Sequence, residues 1–345
     1  MGFVLVMAAV LWGIGAAMKA PYRMRWAMIG MLYLGVLLVH VLPGDNPLKQ
    51  ATGGSLGEWL LLGGAIALIA GYRVVLRQLK ARAKPKPAKQ VPVGPFSASE
   101  LERYARHITL REIGGPGQKR LKDAKVLVIG AGGLGSPALM YLAAAGVGTI
   151  GVIDDDEVDL SNLQRQVIHS DDRVGVPKVF SAEITMHGIN PHVEVRPYHR
   201  RLTEDDAREL FADYDLILDG TDNFDTRYMV NRIAVETKTP LISAAITQWE
   251  GQISLYDPAK GAPCYQCVFP KAPAPELAPS CAAVGVIGAL PGVVGSMMAV
   301  EAIKELGGAG ESLRGRMLFY DALYGENRQM NLKPRADCPV CSGDA

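Results

Sequence analysis

The chain is poor in cysteine and has almost no net charge. Five of its 345 residues are cysteine, and 36 Lys and Arg residues are balanced by 35 Asp and Glu residues. So few cysteines exclude a disulfide-rich secreted scaffold. A formal charge of +1 excludes a uniformly basic protein that follows a nucleic-acid backbone. A hydrophobic content of 49% excludes a disordered chain.

The small net charge hides a division of the chain into two parts. Residues 1–92 carry eleven basic and two acidic side chains, whereas residues 93–345 carry 25 basic and 33 acidic ones. The acidic part is long enough to form one α/β core. Its charge is opposite to that of a nucleic-acid-binding surface, so we expect no nucleic-acid partner.

Three apolar runs lie in the basic part, at about residues 2–18, 26–42 and 56–76. A helix needs roughly 20 mostly apolar residues to cross a bilayer, with ~17 as the lower limit. The runs therefore predict three transmembrane helices within a membrane region over residues 1–80. A cleaved signal peptide is the alternative for the first run, which lacks a basic start and a small-residue cleavage site.

The basic residues predict how these helices are oriented. Lys19, Arg23 and Arg25 follow the first run, and seven Lys and Arg residues lie between residues 73 and 89. Positive residues favour the cytoplasmic side. Three spans then predict a multi-pass protein of the cytoplasmic membrane with its N-terminus outside. A Lys- and Pro-rich linker over residues 81–96 would lead to a cytoplasmic domain over residues 97–345.

A glycine-rich loop follows a buried strand in the acidic part. The strand runs into residues 130–135 (GAGGLG), and a small-residue helix and a second strand ending at Asp154 come next. Glycines let phosphates approach the backbone and the helix N-terminus, and the acidic residue suits a ribose hydroxyl. This order predicts an α/β fold with a doubly wound, Rossmann-like, mostly parallel sheet. It does not distinguish a dinucleotide from ATP.

The polar residues after Asp154 favour ATP. Asn162 and Arg165 follow it closely, Lys178 begins the next predicted helix, and Asp222 follows another strand. Nucleotidyl transfer needs a carboxylate for Mg²⁺ and cations that offset phosphate charge. The alternative from another class is a NAD-dependent, membrane-anchored oxidoreductase, in which the two cations would have no role.

Four of the five cysteines form two C-x-x-C pairs. Cys264 and Cys267 make the first pair, and Cys338 and Cys341 make the second. Four thiolates suit a structural, tetrahedral Zn²⁺, which would give the domain a zinc-clipped C-terminal part. Two separate redox pairs are the alternative. Cys281 lies alone, and both a small core residue and a reactive thiol remain open for it.

At these residues the chain resembles the MoeB/ThiF family of ubiquitin-activating-like adenylyltransferases, over about residues 99–341. The resemblance implies ATP-dependent adenylation of the C-terminal Gly-Gly carboxylate of a small ubiquitin-like sulfur-carrier protein. Molybdopterin synthase activation is the expected pathway, and thiamine biosynthesis is the alternative. A scaffold that binds the carrier tail without catalysis is a further alternative. The motifs that carry the resemblance are RYAR at 103–106, GAGGLG at 130–135, SNLQRQ at 161–166, PK at 177–178, TDN at 221–223 and the five cysteines.

The resemblance also implies roles for single residues. Asp154 would hold the ribose, and Asp222 would hold Mg²⁺. Arg106 would reach the γ-phosphate bound by a neighbouring subunit, which implies a homodimer. Cys281 would accept the acyl group or a sulfur, which a separate donor such as a cysteine desulfurase or a rhodanese would supply. The expected catalytic residues are Arg106, Arg165, Lys178, Asp222 and Cys281. The expected nucleotide-binding residues are Gly130, Gly132, Gly133, Gly135, Asp154, Ser161, Asn162, Leu163, Gln164, Arg165, Lys178, Asp222 and Asn223.

Overall fold

The computed structural model describes residues 2–44, 46–82, 94–273 and 285–342. The chain divides into two compact units, Met1–Gln90 and Val91–Ala345.

The N-terminal unit consists of helices joined by short turns. The buried indole of Trp59 is central to it, because its Nε1 donates to the Gly53 carbonyl and the Tyr33 hydroxyl donates to the Trp59 carbonyl. Val4 and Val36 pack against the same ring. The helices are α1 (Gly2–Ala17), α2 (Tyr22–Val41), α3 (Pro47–Thr52) and α4 (Leu56–Arg82).

Two helices of the described N-terminal residues are long and apolar enough to cross a membrane, α2 and the Leu56–Leu76 part of α4. The prediction of three spans is therefore wrong for α1. Its 16 residues extend about 24 Å at 1.5 Å per residue, which is short of the ~30 Å hydrocarbon core. The expectation of an outside N-terminus depended on this third span and is withdrawn with it.

The C-terminal unit contains one eight-stranded sheet in the order β3-β2-β1-β4-β5-β6-β7-β8. The first five strands in this order are parallel, and β6, β7 and β8 continue the sheet in antiparallel pairs. This confirms the predicted Rossmann-like sheet. The strands are β1 (Lys125–Ile129), β2 (Thr149–Ile153), β3 (Glu194–Tyr198), β4 (Leu216–Asp219), β5 (Leu241–Thr247), β6 (Glu250–Tyr256), β7 (Arg316–Asp321) and β8 (Glu326–Asn331).

Helices cover both faces of this sheet. Val126 and Val128 of β1 face one core, while Leu127 and Ile129 face the other. Because both faces are buried, β1 is a continuous apolar run rather than an alternating one. The helices are α5 (Ala98–Arg103), α6 (Ala105–Ile108), α7 (Gly114–Asp123), α8 (Gly135–Ala145), α9 (Lys178–Ile189), α10 (Glu204–Phe211), α11 (Phe224–Glu236), α12 (Tyr265–Val268) and α13 (Ala289–Gly307).

The chain reverses its order across the sheet between β1 and β4. From β1 it proceeds to β2 and β3 on one side, and it then returns to β4 on the other side. A crevice forms at the carboxyl ends of strands at such a point, and ligands of open α/β sheets bind there.

Candidate functional site

A cavity of about 800 Å³ lies at this carboxyl edge. Its wall includes the turns that follow β1, β2 and β4, together with residues 245–247 of β5. The cavity therefore collects side chains that are distant in the sequence but lie at equivalent strand ends.

The glycine loop forms part of the cavity wall, and its first and last glycines, Gly130 and Gly135, lie very close together. Gly130 has a φ of 94°, a left-handed conformation that favours glycine. A Cβ atom on Gly135 would lie 1.9 Å from the Gly130 carbonyl oxygen. Only a glycine fits there, and the start of α8 can therefore approach the end of β1. Gly135 lies behind the cavity wall and does not line it.

Asp154 holds this loop from the end of β2. Its Oδ2 accepts a hydrogen bond from the Ala131 N–H at 2.7 Å, and its Oδ1 accepts one from the Asp156 N–H at 2.9 Å. Burial raises the pKa of the Asp154 carboxyl, although these two hydrogen bonds and nearby Lys178 act in the opposite direction. The carboxyl also lines the cavity.

The predicted phosphate-binding side chains line the same cavity, and Arg165 lies next to the glycine loop, since its Cγ would be 3.7 Å from a Cβ atom on Gly133. Lys178 is the first residue of α9, and its buried Nζ donates to Asp156 Oδ2 at 2.7 Å. Asn162 Oδ1 accepts from Gln166 Nε2 at 2.7 Å. The half-buried Arg165 donates to the Ser161 carbonyl at 3.3 Å. Two cations and an amide therefore face one cavity.

The loop after β4 carries the second carboxylate. Asp222 is exposed to the cavity and has no hydrogen bond or ion pair with any described residue. Asn223 caps α11 by accepting from the Thr226 N–H at 2.9 Å. The buried Asp219 holds the base of this loop, since it accepts from the Thr221 N–H and hydroxyl at 2.9 and 2.6 Å.

The structure brings most of the predicted nucleotide-binding residues together, but not all of them. Ser161, Leu163 and Gln164 do not line the cavity, and Gln164 packs against Gly288 instead. Arg106 lies on α6, also away from this cavity. Cys281 lies outside the described residues. The predicted residues that do line the cavity are Gly130, Gly132, Gly133, Asp154, Asn162, Arg165, Lys178, Asp222 and Asn223.

Several cations of the wall were absent from the sequence prediction. Arg200 and Arg201 follow β3, so their position at a strand end was a usable signal. The buried Arg227 lies one turn into α11 and donates to the Ala244 carbonyl at 2.7 Å. Lys271 follows α12, and nothing in its sequence context indicates that it faces the site.

The two C-x-x-C pairs form one cluster, and its four sulfur atoms all lie within 4.8 Å of one another. Cys264 Sγ lies 3.8 Å from Cys267 Sγ and 3.6 Å from Cys338 Sγ, and Cys267 Sγ lies 3.3 Å from Cys341 Sγ. Tetrahedral zinc with bonds of about 2.3 Å requires sulfur atoms ~3.8 Å apart. The donor set therefore fits a metal ion of that kind.

The cysteine cluster also adjoins the cavity. Tyr265 lies between the two cysteines of the first pair in the sequence, and its side chain lines the cavity wall. Its N–H donates to Asn231 Oδ1 of α11 at 2.8 Å. The chain segment between the two cysteines of the first pair therefore forms part of that wall.

A model of the ThiF family matches residues 104–340. The chain belongs to the ThiF family. The SAMP-activating enzyme E1 of Haloferax volcanii is 48% identical over 246 residues, which cover 71% of this chain and 90% of that protein. The sulfur carrier protein adenylyltransferase of Thermus thermophilus is 47% identical over 253 residues, which cover 72% and 93%.

Longer relatives and a solved structure agree with this assignment. The adenylyltransferase and sulfurtransferase MOCS3 of Aedes aegypti is 42% identical over 276 residues, which cover 78% of this chain and 63% of that protein. The crystal structure of E. coli MccB with AMPCPP and MccA has a TM-score of 0.61 at 25% identity and covers 69% of this chain and 74% of that chain. This ThiF-family chain is an adenylyltransferase, which removes the nicotinamide oxidoreductase alternative.

We predict that Gly135→Ala disrupts the glycine loop, because the new methyl group would overlap the Gly130 carbonyl. Such overpacking typically costs about 1–3 kcal/mol, which corresponds to a fall in Tm of about 2–12 °C for a unit of this size. Gly188→Ala is the matched control, since a Cβ atom there meets nothing within 4 Å. Thermal unfolding followed by near-UV circular dichroism measures both variants, and equal Tm values would contradict the prediction.

Proposed function

We propose that the protein uses ATP to adenylate the C-terminal Gly-Gly carboxylate of a small ubiquitin-like sulfur-carrier protein. The products are an acyl adenylate and pyrophosphate. The observation that carries this proposal is the convergence of Asp154, Asn162, Arg165, Lys178 and Asp222 on one cavity beside the glycine loop. The names of the relatives from Thermus thermophilus and Haloferax volcanii support the choice of a carrier protein as substrate.

The glycine loop and Asp154 would hold the nucleotide. Backbone N–H groups of the loop and the N-terminus of α8 suit the phosphates, because unpaired N–H groups and the helix dipole favour negative charge there. Asp154 would accept from a ribose hydroxyl. Its two oxygens already accept one hydrogen bond each, and each keeps a free lone pair.

The cations would offset the charge of the triphosphate. Lys178 has three donors and gives one to Asp156, which leaves two for phosphate oxygens. Arg165 is half-buried and lines the same cavity. Asp222 has no partner among the described residues and is free to hold Mg²⁺, which would neutralise phosphate charge.

Adenylation then follows from this arrangement. A carrier carboxylate oxygen attacks the α-phosphorus, a bond forms between them, and the bond from the α-phosphorus to the bridging oxygen breaks. The electron pair leaves with pyrophosphate. Arg165 and Lys178 remove the repulsion between the two anions and stabilise the charge on the leaving group.

Three further elements of the proposal concern parts outside this cavity. Arg106 lies away from the cavity of its own chain, which is consistent with a homodimer in which it serves a neighbouring subunit. Cys281 would accept the acyl group or a sulfur. A separate cysteine desulfurase or rhodanese would supply that sulfur. For the pathway, we propose molybdopterin synthase activation first and thiamine biosynthesis second.

The cysteine cluster would hold a structural Zn²⁺. Four protein ligands complete a tetrahedral shell and leave no open position for a substrate. The ion would join the C-terminal pair of cysteines to the first pair and so keep the tail on the domain. Through Tyr265 it would also support the cavity wall.

The N-terminal unit would anchor the enzyme in a membrane. In each of the two long helices, only 6% of the most apolar 18-residue segment is buried. Side chains such as Leu61 and Leu68 are 76% and 77% exposed. A soluble core helix would bury such residues. The basic residues on the outer flanks of α2 and α4 favour a cytoplasmic location for both flanks, and therefore for the catalytic unit.

We predict that the full chain catalyses ATP–pyrophosphate exchange that depends on a Gly-Gly-ended carrier. Arg165→Ala and Asp222→Ala should each lower the exchange rate about 10²–10³-fold, by analogy with the loss of one charge-stabilising donor. Arg111→Ala is the control for the arginine variant, since that side chain is 93% exposed. A molybdopterin-type and a thiamine-type carrier should be compared. The absence of exchange with both carriers would contradict the proposal.

We predict about one zinc ion per chain, because the four thiols make a single tetrahedral site. Cys338→Ser should lose the ion and lower the Tm, whereas Cys281→Ser should keep it. Inductively coupled plasma mass spectrometry of the purified full chain measures the metal content. Full zinc content in Cys338→Ser, or equal loss in both variants, would refute the assignment.

We predict a helical hairpin in the membrane with both of its ends in the cytoplasm. A cysteine introduced at Asn46, between α2 and α4, should react with an impermeant maleimide added to intact cells. A cysteine introduced at Lys19 should react only after the cells are opened. The reverse pattern would show that the catalytic unit lies on the other side.

A further inference from the structure

We propose that His169 is a positioning residue that joins the glycine loop to the helix carrying Lys178, and so directs the Gly132 N–H into the nucleotide cavity. The inference rests on the proposed function, because it takes ATP to be the ligand of that cavity. His169 does not line the cavity itself. It acts through the residues that it holds.

The imidazole of His169 bridges two elements of the site. Its Nε2 lies 3.0 Å from the carbonyl oxygen of Ala131, within the glycine loop, and its Nδ1 lies 2.9 Å from Ser181 Oγ. Ser181 is on α9, three residues after Lys178. The ring is only 7% exposed. One buried side chain therefore ties the loop to the lysine helix.

The chemistry of these partners determines the tautomer. A carbonyl oxygen can only accept, so Nε2 must carry the proton that it donates to Ala131. Nδ1 then accepts from the Ser181 hydroxyl. Burial lowers the pKa of His169 to about 4, and nearby Lys178 and Arg173 act in the same direction, although the bond to the Ala131 carbonyl opposes them. The ring is therefore neutral at neutral pH.

The orientation of one peptide group follows from these contacts. His169 holds the Ala131 carbonyl, which belongs to the same peptide group as the Gly132 N–H. Asp154 holds the preceding peptide group through the Ala131 N–H. In a trans peptide the carbonyl and the next N–H point in opposite directions. With the Ala131 carbonyl directed to the buried imidazole, the Gly132 N–H is directed to the other side of the loop. Gly132 lines the cavity, and its N–H makes no hydrogen bond with the described residues.

The test compares ATP binding by His169→Leu and His169→Gln in the full, zinc-loaded chain by titration calorimetry. Leucine retains bulk without a donor, and we expect the Kd for ATP to rise about tenfold, the effect of a lost buried hydrogen bond. Glutamine can still donate to the Ala131 carbonyl and should remain within about threefold of the wild type. His187→Leu, an exposed site on α9, the helix that carries Lys178 and Ser181, should bind ATP as the wild type does.

Nitrogen-15 NMR of histidine-labelled protein provides a measurement that packing alone would not affect. The expected signal at pH 7 is a neutral ring protonated at Nε2. The inference is overturned by an Nδ1-protonated or doubly protonated ring. It is also overturned if His169→Leu binds ATP as tightly as the wild type, or if His169→Gln is as weak as His169→Leu. A wild-type protein that binds no ATP would instead overturn the proposed function.

Discussion

The central position of β1 is the constraint on which the site depends. β1 pairs with β2 on one side and with β4 on the other, in parallel register on both sides. Its carboxyl end therefore lies between those of its neighbours, which places the glycine loop beside Asp154 and the Asp222 loop. Both faces of β1 are buried, so its position is maintained by the two cores of the domain. The polar residues of the site can then be grouped at this edge of the sheet.

Residues close to strand ends were predictable from the sequence, because a buried apolar run followed by glycine or an acidic residue is a local pattern. The glycine loop, Asp154 and Asp222 are of this kind. The direction of a side chain within a turn has no such local signal. Gln164 therefore turned out to face Gly288 rather than the cavity, and the contribution of Arg227 depends on the packing of α11. The prediction of a third transmembrane helix was wrong because of its length. The composition of α1 is that of a transmembrane helix, but it has only 16 residues.

The site is supported by structure that lies behind it. Tyr265, between Cys264 and Cys267 in the sequence, is held in the wall through Asn231, and His169 links the glycine loop to α9. The four cysteines and His169 do not line the cavity, so we expect none of them to touch the reacting atoms. Both arrangements fix the geometry of groups that do face the cavity, which is what a reaction based on positioning and charge stabilisation requires. The N-terminal helices form a separate unit, so the proposed anchoring and the chemistry can be tested independently.

The most direct test of the central claim is the intact mass of the carrier after incubation with the full chain, ATP and Mg²⁺. The account predicts a carrier that gains the mass of one AMP group, and no gain when its last glycine is removed or when Asp222→Ala replaces the wild-type enzyme. A carrier of unchanged mass, or an adduct formed equally by the Asp222→Ala enzyme, would contradict the account.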